Sequence, residues 1–318
     1  MKLQGMRALV TGGSGFVGSH FARWLAAEGA IVTALVRRKG DHPGLESANI
    51  TQVEGDFTDP ATARRACAGQ ALVVHAAATV SLELAEAVRV NVTGTGTLAA
   101  AAREAGCGRF IHISTLSVYN FQSGAKRFDE DAPQRVLGGT YGHSPAASPY
   151  YGTTKAEGER ALEAEMARGL AATTFRLAAV LGVHPTSAWI AKVPAKVREG
   201  KVALRGDGSD VMPWTHIDNV IHAVALALDQ PRSIGRAYNV VDGHVAWRDF
   251  AGDMRSWFPD APPLPKIPIE QVKPSDYFIL PCEGDRLREE LGYKPVRDYA
   301  ESMAEAGAWW RARLGSGS

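Results

Sequence analysis

The run Thr11-Gly12-Gly13-Ser14-Gly15-Phe16-Val17-Gly18 follows directly on an apolar stretch, Met6 to Val10, and opens directly into a helical one, Phe16 to Glu28. A strand that turns sharply into a helix needs a residue without Cβ at the turn. A second glycine lets a pyrophosphate approach the backbone, and a third lets helix and strand pack closely. The helix that follows presents unpaired N–H groups and the positive end of its dipole. The run therefore predicts a dinucleotide site at the first strand–helix turn, built on Gly12, Ser14, Gly15, Phe16, Val17 and Gly18.

The chain around that turn carries the matching pattern. Short apolar runs at Met6–Thr11, Ala30–Arg37, Ile50–Glu54, Ala71–Ala76, Arg109–Ser114 and Ala172–Arg176 alternate with helical stretches such as Ala85–Ala105 and Tyr151–Ala167. Alternation of this kind predicts an α/β fold, a Rossmann-type doubly wound parallel sheet with helices on both faces. Beyond Leu181 the alternation stops, prolines gather between Pro259 and Pro281, and six of the seven tryptophans lie past residue 180. A smaller C-terminal mixed α/β substrate lobe is expected there. The division reads as residues 1–178 for the nucleotide-binding domain, with return segments near 213–242, and 179–212 plus 243–314 for the lobe. Trp214 to Asp229 reads as a helix entry and helix, and Ala237–Val241 as a further strand rejoining the main sheet. The glycine- and proline-rich segment Asn120–Pro149 reads as a long loop, expected to act as a mobile flap over the substrate.

Composition narrows the class of partner. With 318 residues, 45% hydrophobic, the chain can bury a large core. A formal net charge of +1, with acids and bases intermixed, points to neither nucleic acid nor an anionic membrane. Cys67, Cys107 and Cys282 are widely spaced and suggest neither a disulfide framework nor a zinc site, which fits a reducing cytoplasm. No leader or membrane-spanning run is evident, and the tail Gly315–Ser318 reads as a disordered end. His143, His184 and His216 have no second ligand at useful spacing, so no metal is expected. Of Trp189, Trp214 and Trp247, at least two are expected in the core rather than in a pocket.

The strand ends carry chemistry. The second candidate strand ends Leu35-Val36-Arg37-Arg38-Lys39, with no acid before Asp41. An acid there holds a ribose 2′-hydroxyl; guanidiniums pair instead with a 2′-phosphate, so NADP(H) is the expected cofactor, held by Arg37 and Arg38. Asp56 is placed to accept from an adenine amino group, and Asp59-Pro60 starts a helix. After His75, the small residues Ala76, Ala77 and Ala78 leave room for a ribose. Tyr151 and Lys155 stand four apart on one helix face. An ammonium beside a phenol favours phenolate and lowers its pKa, which suits proton exchange with a substrate oxygen. They follow a strand ending Ile113-Ser114-Thr115, whose hydroxyls belong at the carboxyl edge where open α/β sheets bind ligands.

Together with Asn91-Val92-Thr93-Gly94-Thr95, the stretch Ser114–Tyr119, Arg176 and Tyr238-Asn239-Val240, these residues resemble the extended group of the short-chain dehydrogenase/reductase superfamily, of the NAD-dependent epimerase/dehydratase type, along nearly the whole chain. The resemblance implies Tyr151 as general acid/base, Lys155 as its tuner and a ligand of the nicotinamide ribose, and Thr115 as the group that polarises substrate, with Ser114 the adjacent candidate. It adds Phe57, Asn91 and Arg176 to the cofactor residues, and implies a homodimer paired through Ala85–Ala105 and Tyr151–Ala167. The Val36-Arg37-Arg38 strand end looks like the dihydroflavonol reductase type, and Trp214 to Ala223 is similar to the 3β-hydroxysteroid dehydrogenase type. Nucleotide-sugar epimerases usually carry an Arg where Met212-Pro213-Trp214 stands, although Arg205 lies upstream. Sugar 4,6-dehydratases need an acid pair where Leu116-Ser117 follows Thr115. A proline commonly follows Arg176; here it is Leu177. The expectation is an oxidoreductase of small-molecule ketones, aldehydes or secondary alcohols. A nucleotide-sugar epimerase is the alternative. A cofactor-sensing regulator is a third reading, though such sensors typically lose the Tyr–Lys pair.

Overall fold

The computed structural model describes residues 2–42, 44–141, 148–271 and 281–315. Seven strands build the main sheet: β1 (Arg7–Thr11), β2 (Ile31–Val36), β3 (Ile50–Glu54), β4 (Leu72–His75), β5 (Arg109–Thr115), β6 (Ala172–Leu177) and, after three strands of the second lobe, β10 (Ala237–Val240). Their order is β10-β6-β5-β4-β1-β2-β3, and every neighbouring pair is parallel. The order reverses between β1 and β4, so their carboxyl ends diverge into a crevice suited to a ligand. Strands covered on both faces read as unbroken apolar runs: Ala8, Leu9 and Val10 are fully buried.

On one face α1 (Phe16–Ala27) lays Phe21, Ala22 and Leu25 against the sheet, beside Val220, Ala223 and Val224 of α7 (Ile217–Asp229). On the other face α2 (Pro60–Cys67), α4 (Thr95–Glu104) and α5 (Tyr151–Met166) bury Ala63, Leu98, Ala102 and Leu162. Asp59 caps α2 by accepting from the Thr62 N–H at 2.8 Å, with Pro60 in the first turn.

The single helix expected at Ala85–Ala105 is divided. A short α3 (Leu84–Val88) passes through a π-helical turn, Arg89–Gly94, into α4. Gly94 lies so close to Phe57 that a Cβ would stand 2.7 Å from its ring. Trp214 is likewise not a helix entry. It lies in a strand, β9 (Val211–His216), which pairs in parallel with β7 (Ala179–Leu181) and antiparallel with β11 (Gly243–Ala246). The helix begins only at Ile217, and β10 rejoins the main sheet beside β6.

The second core gathers Leu181, Ile190, Trp214, Phe250, Met254 and Trp257. It draws on α6 (Val193–Arg198), α8 (Trp247–Ser256) and α10 (Tyr299–Gly315). A two-stranded sheet of β8 (Leu204–Arg205) and β12 (Lys266–Ile267) flanks it, while α9 (Asp285–Leu291) packs back on β10. Trp214 is buried and Trp247 packs against this core, as expected of two of the three tryptophans. Among the described residues no helix is long and apolar enough to cross a membrane, and no His/Cys/Asp/Glu group could hold a metal.

The flap expectation for Asn120–Pro149 meets a different arrangement in its first half. Tyr119 bridges Gln134, the Asn120 N–H donates to the Pro133 carbonyl at 2.8 Å, and Phe128 is fully buried and bridges Cys282. That half is a tied-down part of the core. Val136 and Leu137 are exposed. The remainder of the expectation falls largely on residues 142–147, which, like His143 and residues 316–318 of the tail, lie outside the described residues.

Candidate active site

The glycine turn sits at the sheet's carboxyl edge, as the sequence predicts. Gly12 takes φ +70°, and a Cβ there would lie 2.9 Å from the Ala77 backbone. At Gly18 a Cβ would collide with the Gly12 carbonyl. Gly15 heads α1 at the carboxyl end of β1 and supplies no side-chain cap to the helix. Ser14, Phe16 and Val17 are half-buried around that turn. The Phe16 N–H reaches Thr186 Oγ1, 3.1 Å away in the second lobe. Sequence reading missed Thr186, whose contact spans 170 positions. A backbone stripped of side chains, an uncapped helix end and the small Ala76–Ala78 turn fit a dinucleotide.

Arg37 and Arg38 stand exposed just past β2. Asp56 follows β3; its carboxylate accepts from the Thr58 N–H at 2.9 Å and pairs with Arg89 at 3.0 Å. Partial desolvation works against it, but the Thr58 donors and the Arg89 guanidinium hold its carboxyl below the usual range. Phe57 turns into the core, its ring 5.0 Å from that of His75. His75 joins Thr11 Oγ1 at 2.7 Å and Thr95 Oγ1 at 3.1 Å, and burial lowers its pKa to about 3. Asn91, placed by the π-helical turn, is a strut. It accepts from the Thr79 N–H at 2.9 Å and donates to the Thr79 carbonyl and to Thr154 Oγ1, each at 3.0 Å.

Tyr151 opens α5 and lines a cavity of about 250 Å³ together with Ser114 and Thr115 at the end of β5. Val17, Ala76, Ala78, Phe121, Trp189 and Pro213 also line it. Among the described residues no charged side chain lines it. Thr115 Oγ1 accepts from the Ser117 N–H at 3.2 Å, so its own proton is available to a substrate oxygen.

Three expectations need correction. Ser114 donates its hydroxyl to Glu159, which leaves Thr115 as the hydroxyl available at this edge. Arg176 is not at the cofactor crevice. Its guanidinium is buried against Glu159 at 2.7 Å, Tyr119 Oη at 2.9 Å and the Glu130 carbonyl at 2.8 Å, and it braces β6. The Tyr151 phenol is not lowered by Lys155: burial pushes it up to about 12. Lys155 is itself fully buried, and its ammonium donates to the Ile113 carbonyl at 2.8 Å and to His112 Nε2 at 3.2 Å. Burial lowers its pKa to about 8, against the pull of Glu159. Sequence reading also missed His112, a lone histidine inside an apolar strand, and Phe121.

Known proteins share this frame. Residues 8–241 match the NAD dependent epimerase/dehydratase family. A dTDP-glucose 4,6-dehydratase of Streptomyces griseus is 30% identical, over 95% of this chain and 93% of its own length. A 2-alkyl-3-oxoalkanoate reductase of Stenotrophomonas maltophilia is 32% identical, over 75% of this chain and 71% of its own. The crystal structure of DesIV, a dTDP-glucose 4,6-dehydratase from Streptomyces venezuelae with NAD bound, superposes with a TM-score of 0.80. It is 28% identical and covers 98% of both chains.

Proposed function

Since the chain belongs to the NAD dependent epimerase/dehydratase family, we propose that it is an NADP(H)-dependent oxidoreductase that reduces an apolar ketone or aldehyde, or in reverse oxidises a secondary alcohol. The observation that carries this reading is the cavity in which Tyr151 and Thr115 meet apolar surface and, among the described residues, no charged side chain. A sugar nucleotide brings two phosphates that favour cationic partners, and among the described residues this wall supplies none. Leu116 and Ser117 follow Thr115, so the acid pair needed to remove water from a sugar is missing. A phenol that keeps its proton is a donor, and Tyr151 is suited to protonate the oxygen of a carbonyl as it is reduced. Thr115 donates to the same oxygen and fixes its position, while Lys155 lies buried one helical turn further along α5 from Tyr151.

The glycine turn, the Ala76–Ala78 bend and Lys155 would hold the dinucleotide; when bound, it supplies the hydride. Arg37 and Arg38 favour a 2′-phosphate over a free hydroxyl. We also infer that two copies pair through α4 and α5.

Absorbance at the nicotinamide band, followed with NADPH or NADH against aryl and alkyl ketones and against dTDP- and UDP-sugars, tests the reading. Turnover of apolar ketones with NADPH is expected. Arg37→Ala is expected to weaken NADPH about tenfold while leaving NADH nearly unchanged. Turnover confined to nucleotide sugars overturns the reading.

A further inference from the structure

The Lys155 ammonium is enclosed. It lies between α5 and β5, fully buried, with two of its three N–H groups directed at the Ile113 carbonyl, 2.8 Å, and at His112 Nε2, 3.2 Å. A histidine that accepts at Nε2 in its neutral form carries its proton at Nδ1. His112 Nδ1 is buried and has no hydrogen-bond partner among the described residues. His75 beside it, by contrast, satisfies both nitrogens, through Thr11 and Thr95. His112 leaves an N–H unpaired in the interior, which carries a desolvation cost, and its one partner is the ammonium.

We propose that His112 is the positioning residue for Lys155: its Nε2 fixes the direction of the ammonium and stabilises its charged form inside the sheet–helix interface. This rests on the reading that Lys155 serves the cofactor crevice.

The surroundings explain why an uncharged acceptor stands there. From β4 the ring of His75 faces His112 at 5.3 Å, from α5 come Lys155 and Glu159, and from β6 comes Arg176. Burial, then Lys155, His75 and Arg176, hold His112 well below its ordinary pKa, so it stays a neutral acceptor throughout the working range. Glu159 is engaged by Arg176 and Ser114, so it supports the ammonium only at a distance. Removing the His112 acceptor leaves a more poorly solvated ammonium, and the pKa of Lys155 falls further below about 8.

The experiment measures NADPH affinity by fluorescence from pH 6 to 9.5, without turnover, in the wild type, His112→Leu, His112→Gln and Lys155→Met. In the wild type, affinity is expected to fall as pH rises through the Lys155 pKa. His112→Leu is expected to move that fall about one pH unit toward acid. His112→Gln, whose amide again offers an acceptor, is expected to restore most of the shift, and Lys155→Met to abolish the fall. Should His112→Leu not fold, His112→Asn, too short to reach the ammonium, takes its place. Unfolding separates loss of affinity from loss of structure. A lysine whose folded pKa lies below its unfolded value gains stability as pH rises between the two, so the fold does not weaken where affinity does. A well-folded His112→Leu with the wild-type profile overturns the proposal, as does a shift that His112→Gln fails to restore. If Lys155→Met keeps the wild-type profile, the reading of Lys155 as a cofactor residue falls, and the proposal with it.

Discussion

Tyr151 and Lys155 differ in what burial does to them. The phenol rises to about 12 and the ammonium drops to about 8, so each is driven toward its neutral form. Tyr151→Phe removes only the phenolic hydroxyl from the cavity wall. It is expected to lower turnover roughly 10²- to 10⁴-fold while NADPH titration returns the wild-type affinity; a variant with full turnover would remove Tyr151 from the chemistry. The residue types at this site were legible in the sequence: the Tyr-x-x-x-Lys spacing, Thr115 at a strand end and the glycine turn all lie where expected. Their partners were not. Ser114 looked equivalent to Thr115 until Glu159, 45 positions away, took its hydroxyl. Arg176 looked like a ligand until Glu159, Tyr119 and Glu130 enclosed it. Sequence reports what a side chain can bond to; only the fold reports what it does bond to.

Among elements, α5 matters most, because it carries both Tyr151 and Lys155 and must dock at a fixed depth. Gly158 sets that depth. It faces the π-helical turn so closely that a Cβ would collide with the Asn91 carbonyl oxygen. Gly158→Ala is expected to cost about 1–3 kcal/mol in denaturant unfolding, since the obstacle is backbone and cannot rotate away. Activity should fall further than stability, because a displaced α5 carries Tyr151 and Lys155, the side chains proposed to act, with it. A stability within error of the wild type would show that the helix docks elsewhere. The π-helical turn was not legible as such. It lies between two alanine-containing helical stretches, and its Asn91 reaches Thr79 and Thr154, contacts that no local pattern encodes. The strands were legible because parallel strands covered on both faces are simple apolar runs.

The molecule as a whole joins a sheet that announces itself to a lobe that does not. The second core is assembled across long separations: Trp310 Nε1 donates to the Ile190 carbonyl at 2.7 Å, and Trp214 meets Tyr299 at a tilt, ring centres 5.4 Å apart. No local periodicity encodes such pairings, so the sequence announced a lobe without its strands. The proposed dimer belongs to this scale. Light scattering at micromolar concentration is expected to return twice the 34.0 kDa chain mass, and a monomer mass would dismiss the pairing through α4 and α5.

The cavity is bounded unevenly. Ile113, Ser114, Thr115 and Leu177 among its lining residues belong to the main sheet, where β6 is hydrogen-bonded to a strand on either edge. Phe121, Trp189 and Pro213 come from a connection, a helical turn and a lobe strand. Selection for a new substrate therefore has unequal freedom. Changes on the sheet side propagate into the frame that aligns Tyr151, whereas changes at Phe121 or Trp189 disturb local ring packing, with Phe128 or with Trp247 and Phe250. A laboratory lineage evolved toward bulkier ketones is expected to accumulate its substitutions on the second side and to leave the first untouched, so this enzyme's adaptability is concentrated in a few replaceable aromatic walls.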